Sequence, residues 1–233
     1  MKISVLGAGS WGTALGQILS ENGHDVLLWH LEQDFVDNIN KSYVHPFLPD
    51  VSLRKTLRFT ANLNDIYDYG EIMVSAVPSQ VVRNALSGFP NNWRKPVVSV
   101  SKGIENKTGF RMSEVILETL QLSSDNIIVL SGPSHAEEVA QKYPAAIVAA
   151  CIDIDYSRDV QKLFSNDYFR VYSGNDVIGV EIGGAAKNII ALAAGICHGL
   201  GYGDNTMAAL VTRGLEEIIR LGTTLGAERA TFS

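Results

Sequence analysis

The chain has 233 residues, of which 46% are apolar and 19% charged, and its formal net charge is −6. That is the composition of an ordinary globular protein with one large or two modest domains, and the acidic balance, with no concentrated basic stretch, excludes a general nucleic-acid surface. Two distant cysteines, Cys151 and Cys197, argue against a disulfide or zinc framework, the apolar run before the first glycine is too brief for a secretory signal, and no stretch reaches ~18 uninterrupted apolar residues, so the expectation is a cytoplasmic protein without a membrane segment.

Strand-like and helix-like segments alternate from the start. Ile3 to Leu6 reads as a short buried strand and Trp11 to Leu19 as the beginning of a helix, and between them lies "GAGSWG", with Gly7, Gly9 and Gly12 in the spacing G-x-G-x-x-G. In a strand–turn–helix unit the three glycines play different parts. Gly7 allows a tight turn, Gly9 lets a pyrophosphate approach the backbone, and Gly12 lets helix and strand pack closely. The helix N-terminus then offers unpaired N–H groups and a partial positive charge to the phosphates. Asp25 to Trp29 reads as a second strand and a polar helix starts near Glu32. Ser42 to Leu57, with two prolines, reads as a connection, and Leu57 to Thr60 as a short third strand. "EIMVSAVP" (71–78), "VVSVSKG" (97–103), "NIIVLSGPS" (126–134) and "AAIVAAC" (145–151) are runs of β-branched and apolar residues, which points to a parallel sheet covered on both faces. After about residue 176 the pattern changes to two long helix-compatible runs, 176–201 and 205–227. The expected architecture is α/β, a Rossmann-type mainly parallel sheet with helices on both faces over residues 1–176, followed by the start of an all-helical domain over 177–233. Two helices are too few to enclose a core, so that second domain reads as incomplete.

Ligands of an open parallel sheet collect beyond the carboxyl ends of its strands. Those ends carry "GAGSWG", "WHLE", "VPS", "SKG" and "SGPS", all suited to loops that contact a ligand. Lys102 follows a strand directly and can reach a phosphate or a substrate hydroxyl. In "SGPSHAEEV", Ser134 and Glu137 have the spacing of a capping box, Gly132 and Ser134 can offer donors to an anion, and His135 reads equally as an acid–base group or a surface histidine. Lys187 lies in "GVEIGGAAKNIIALAAG", among small and apolar residues on nearly every side of a helix. Partial burial there lowers a lysine's pKa and makes it a usable proton donor or acceptor, with Glu181 and Asn188 near enough in sequence to orient it. A dinucleotide site, no metal cluster and placed lysines suit hydride transfer at a carbonyl carbon. Neither G-x-S-x-G nor a P-loop motif occurs. Glu32, beyond the glycines, favours NAD, while His30, when protonated, accommodates a 2′-phosphate, so both nicotinamide cofactors remain open.

"GAGSWGTALG", "VPSQ", "SKGIE", "LSGPSHAEEVA" and the long block from Gly179 to Glu217 resemble the bacterial-type NAD(P)-dependent sn-glycerol-3-phosphate dehydrogenase family along the whole chain. The resemblance implies interconversion of dihydroxyacetone phosphate and sn-glycerol 3-phosphate with NAD(H) or NADP(H), feeding glycerophospholipid synthesis, in a cytoplasmic homo-oligomer that binds a small phosphorylated triol or ketone. It implies that Ser10, Trp11, His30 and Ala136 touch the cofactor, that Lys102, Gly132 and Ser134 hold the substrate with Lys102 also near the cofactor, and that Lys187 transfers the proton. Family members continue through further helices that carry an aspartate and an Arg-Asn pair gripping the substrate, so a chain of this length is expected to turn over poorly. Another two-domain hydroxy-acid dehydrogenase, and a cofactor-binding module without turnover, are the alternatives.

Overall fold

The computed structural model describes residues 1–90 and 93–232, so Ser233, the last residue of the expected helical region, lies outside the described residues. The chain opens with β1 (Lys2–Leu6), α1 (Ser10–Glu21), β2 (Asp25–Trp29) and α2 (Gln33–Ser42). A two-stranded hairpin, β3 (Val44–His45) and β4 (Leu48–Ser52), leads into β5 (Arg58–Thr60), α3 (Leu63–Tyr69) and β6 (Ile72–Ser75). Next come α4 (Val82–Leu86), β7 (Val97–Ser99), α5 (Met112–Leu120), β8 (Ile127–Ser131), α6 (Ala136–Ala140), β9 (Ala145–Ala150), α7 (Ile154–Phe164) and β10 (Phe169–Gly174). Two long helices, α8 (Val177–Gly199) and α9 (Asp204–Thr224), follow.

The main sheet has the order β10-β9-β8-β7-β6-β1-β2-β5. Every neighbouring pair in it is parallel except β8 with β9. Its strands are continuous apolar runs because both faces are covered. On one face Leu15, Ile18 and Leu19 of α1 pack with Val160 and Phe164 of α7, and on the other Ile66, Leu86, Val115 and Ile116 form a second core. Strand order reverses between β1 and β6. From that crevice the chain winds outward in both directions, and the carboxyl-end loops on its two sides face each other across a gap.

Three features depart from the sequence reading. The Ser42–Leu57 connection contains the β3–β4 hairpin, which tolerates Pro49 because a two-stranded ribbon has unpaired edges. Its buried His45 donates from Nε2 to the carbonyl of Ala8 at 3.0 Å, so the hairpin closes against the first glycine turn. Second, β9 turns back antiparallel to β8, reached through one short helix. Third, α7 and the edge strand β10 extend the sheet where no element is expected. β10 alternates buried Phe169 and Val171 with exposed Arg170 and Tyr172, a half-buried pattern without the continuous apolar run of the inner strands.

Helix α8 is long and apolar enough, by length and composition, to cross a membrane, with mean hydropathy 1.5 over its most apolar window. The count of uninterrupted apolar residues fails in it because Glu181 and Lys187 interrupt the run, and both are hydrogen-bonded to the sheet domain. Beyond them Ile189, Leu192, Ile196 and Leu200 are exposed.

The loop between β7 and α5, which carries Lys102, is braced from below. Arg83 of α4 makes a two-pronged contact with Glu105 at 2.8 and 2.9 Å, Thr108 Oγ1 donates to the same carboxylate at 2.6 Å, and the Gln80 amide holds the backbone at Ile104 and Asn106. The Arg83 guanidinium and the Thr108 hydroxyl hold the Glu105 carboxyl down at about 2, against an ordinary value of 4.5. A carboxyl held low in the folded state contributes stability above its ordinary pKa and loses it as pH falls through the folded value. The wild-type advantage over Glu105→Gln in urea unfolding is therefore expected at neutral pH and should shrink between pH 4.5 and about 2. An advantage that is constant across this range would show that the brace does not hold the loop.

Candidate functional site

The crevice between β1 and β6 is floored by the first glycine turn. Gly7 has φ +117°, and a Cβ there would lie 2.8 Å from the Ala76 carbonyl carbon at the end of β6. A Cβ on Gly12 would lie 1.9 Å from the carbonyl oxygen of Gly7, so α1 seats directly on the turn. Gly9 differs from both: among the described residues, beyond its own chain neighbours, no atom lies within 4 Å of its would-be Cβ. Two glycines thus close the turn, while the third faces open space where a ligand can meet the backbone. No side chain caps α1, which leaves its first-turn N–H groups directed at the crevice.

Above the turn is a cleft of about 660 Å³. Gly7, Gly9, Ser10, Trp11, His30, Lys102 and Ala136 all line it, and Gly12 lies beneath, buried. The opposite wall comes from Val77, Pro78 and Ser79 after β6, tied to the Lys102 loop by Ser101 Oγ, which donates to the Val77 carbonyl at 2.5 Å. His30 stacks on Phe35 with ring centroids 3.9 Å apart, and its Nδ1 accepts from the Glu32 backbone N–H at 3.1 Å. The indole N–H of Trp11 is buried and has no hydrogen-bond partner among the described residues, and its ring lies 5.7 Å from the Lys102 ammonium.

A second cleft, of about 430 Å³, shares Lys102, Ser134 and His135 with the first and adds Lys187 and Asn188 from α8. The two lysines converge on one atom. Lys187 Nζ donates to the carbonyl oxygen of Gly132 at 3.0 Å and Lys102 Nζ to the same oxygen at 3.3 Å, with Ser134 Oγ 3.4 Å from Lys102 Nζ. Burial and the adjacent Lys187 charge lower the Lys102 amine to about 8. Paired amines at the junction of two clefts make a site for an anion or for charge developing on an oxygen.

Several local expectations are corrected here. Gly132 contributes a carbonyl acceptor to both lysines. Ser134 and Glu137 form no capping box: the residue preceding α6 is His135, Ser134 Oγ donates to Gly132 O at 3.3 Å, and Glu137 pairs with His135 Nδ1 at 2.7 Å. One extra residue in the loop moves the helix start past Ser134. His135 is largely exposed. Glu181 does not touch Lys187. It is buried against α5, accepting from the Ser113 backbone N–H, Ser113 Oγ and Arg111, while Asn188 is exposed. Arg111 and Ser113 are absent from the sequence reading, because a pairing across about seventy residues leaves no local pattern.

The ammonium is the form of Lys102 that attracts an anion. Sulfate, whose charge is constant near neutrality, should bind more weakly as pH rises through about 8. Lys102→Met should flatten that dependence in calorimetric titrations. A pH-independent wild type would show that Lys102 does not face the anion.

Comparison with known proteins gives a consistent result. The family model described as NAD-dependent glycerol-3-phosphate dehydrogenase N-terminus matches residues 2–157, and its C-terminus counterpart matches residues 176–233. A glycerol-3-phosphate dehydrogenase [NAD(P)+] from an Exiguobacterium species is 50% identical over 235 residues, covering 99% of this chain and 69% of that protein. The enzyme of the same name from Lysinibacillus sphaericus is 49% identical, over 100% of this chain and 70% of its own length. Among solved structures, glycerol-3-phosphate dehydrogenase from Coxiella burnetii superimposes with a TM-score of 0.90 at 35% identity, covering 98% of this chain and 70% of that one.

Proposed function

The chain belongs to the NAD-dependent glycerol-3-phosphate dehydrogenase family, and from that premise we propose how its own residues interconvert dihydroxyacetone phosphate and sn-glycerol 3-phosphate with NAD(P)H. The observation that carries the reading is the meeting of Lys102 and Lys187 on one carbonyl oxygen, at the junction of the glycine-turn cleft with a second cleft.

The first cleft fits a dinucleotide. Its volume of about 660 Å³ falls within the usual range for ligand sites, about 300–1,000 Å³. The open face of Gly9 and the uncapped start of α1 suit a pyrophosphate. We assign Gly9, Ser10 and Trp11 to that contact, Gly7 and Gly12 to the tight turn that presents it, His30 to the adenosine end, and Ala136 and Lys102 to the nicotinamide side. When bound, the reduced nicotinamide supplies the hydride. Lys102 and Ser134 hold the phosphorylated substrate at the second cleft, and the Gly132 carbonyl orients the two amines toward it. Lys187 gives a proton to the carbonyl oxygen as the ketone is reduced, and in the reverse direction its neutral amine takes the proton from the secondary hydroxyl. The residues up to 176 serve as the dinucleotide domain and those from 177 to 233 as the beginning of the substrate domain. A net charge of −6 supports a reading without nucleic acid, and association between copies in the cytoplasm belongs to the same reading.

The reading is tested by loss of NADH absorbance driven by dihydroxyacetone phosphate. The assay should use both this chain and a chimera carrying the C-terminal segment of the Exiguobacterium relative. Lys187→Met should lower turnover by ~10²–10⁴ while fluorescence titration shows NADH affinity nearly unchanged. Turnover within a few-fold of wild type would remove Lys187 from the proton transfer. Reduction of unphosphorylated hydroxy-acid precursors in place of the phosphoketone would move the protein to another dehydrogenase class.

The glycines allow a second, independent check. Gly9→Ala should leave the melting temperature nearly unchanged and weaken NADH binding at least ~10-fold, about 1.4 kcal/mol, because its new methyl occupies ligand space. Gly12→Ala should lower both, since its methyl meets backbone oxygen and the helix must move. Equal losses of stability in the two variants would contradict the division of roles.

A further inference from the structure

Helix α8 carries Lys187 toward the cleft, yet its apolar seat on the sheet is small. Val177 and Val180 meet Val129, Val148 and Ala150 in one small apolar cluster, and Ile182 and Ala186 are the further buried apolar side chains of the helix. Apolar contact is non-directional and does not by itself fix the angle of the helix. The polar part of the attachment centres on Glu181, which is 8% exposed. Its carboxylate accepts from the Ser113 backbone N–H at 2.8 Å, from Ser113 Oγ at 2.6 Å and from Arg111 Nη1 at 2.7 Å. Arg111 is itself held by Glu114 at 2.9 Å.

Between β7, β8 and α8 lies a cavity of about 10 Å³, bordered by Glu181, Ser99, Ser131 and Lys102. Ser99 and Ser131 are 1% and 7% exposed, and among the described residues the hydroxyl of each has no hydrogen-bond partner. Buried hydroxyls are normally paired. About 10–15 Å³ is the space one water molecule needs, and a buried water takes two to four polar partners. Two unpaired hydroxyls and a carboxylate supply them. One turn along α8, a Cβ on Gly184 would come 2.4 Å from Ser131 Oγ, so the helix rests against this same point of the sheet.

A buried ion pair is a weak source of stability compared with apolar packing of the same volume, but it is strongly directional. Lys187 stands six residues beyond Glu181, about 9 Å along the helix axis. A tilt of about 10° at Glu181 would displace the lysine by about 1.5 Å, and misplacements of that size cost ~10²-fold in rate.

We propose that Glu181 is a positioning residue for Lys187 and Lys102, acting through Arg111 and Ser113 on one side and through a single buried water bridged to Ser99 and Ser131 on the other. The carboxylate makes no contact with either lysine or with the substrate. It sets the angle at which α8 meets the strand ends, and hence the shared approach of both amines to the Gly132 carbonyl. The inference rests on the lysine roles assigned above.

The test compares Glu181→Gln, Glu181→Asp and the double variant Ser99→Ala/Ser131→Ala in this chain and in the chimera. Three quantities are read: turnover per folded molecule, NADH affinity, and the acetylation rate of Lys102 and Lys187 by mass spectrometry. Glu181→Gln should lower kcat at least ~30-fold, leave NADH affinity nearly unchanged and alter the labelling of both lysines. Glu181→Asp, which keeps the charge, should recover part of the loss. The serine pair leaves the Arg111–Ser113 contacts intact and should lower kcat ~5-fold with a smaller labelling change; it carries the same readouts if Glu181→Gln does not fold. A lower melting temperature with turnover and labelling unchanged would overturn the proposal and leave Glu181 a purely stabilising group. Altered labelling with unchanged turnover would support the positioning and refute the catalytic assignment of the lysines. A crystal structure should show the water within hydrogen-bond distance of Ser99, Ser131 and Glu181. A dry cavity there would overturn that half of the inference.

Discussion

The distance between α1 and the turn before it governs the glycine-turn cleft. With no Cβ at Gly12, the helix descends onto the Gly7 carbonyl, and with no Cβ at Gly7 that turn presses against the end of β6. These two close approaches aim the start of α1 into the crevice where the strand order reverses. Gly9 is then left at the surface of the turn with space above it. The hairpin adds a second constraint from outside, since His45 takes up the Ala8 carbonyl that the turn leaves unpaired. Burial holds the His45 pKa below its ordinary value, so the imidazole is neutral and keeps one nitrogen as a donor.

On the other side of the cleft the organising problem is electrostatic. Two amines brought to one carbonyl oxygen repel each other, and burial adds to the cost of keeping Lys102 charged. The fold tolerates this because Lys102 rides on a loop braced by Arg83 and Glu105, and Lys187 on a helix anchored by Glu181. Both braces are ion pairs in which arginine supplies the directional partner. The apolar cores set where the sheet and helices lie, and these polar contacts set the smaller displacements that matter at a site.

Much of this was legible locally. Asp25–Trp29 as a strand, the break near residue 176 and the strand-end loops that line the cleft all follow from short-range pattern, because buried parallel strands are continuous apolar runs and ligand loops follow their carboxyl ends. The hairpin was hidden by Pro46 and Pro49, which read as breakers although a two-stranded ribbon accepts them. β10 was hidden because an edge strand needs only one buried face. The Ser134–Glu137 spacing matched a cap that the loop geometry assigns elsewhere.

The sequence by itself determined the fold class and the glycine turn and singled out Lys102 and Lys187 as candidates, since these depend on residue type, period and spacing along a few neighbouring positions. Only the tertiary structure decided that β9 runs antiparallel, that Gly132 offers its carbonyl to both amines, and that Glu181 binds Arg111 and Ser113 instead of Lys187. Each of those outcomes is a contact between segments thirty or more residues apart, or the direction of a chain reversal. Such contacts are selected by the packing of whole helices on the sheet, a property that no local stretch of residues carries.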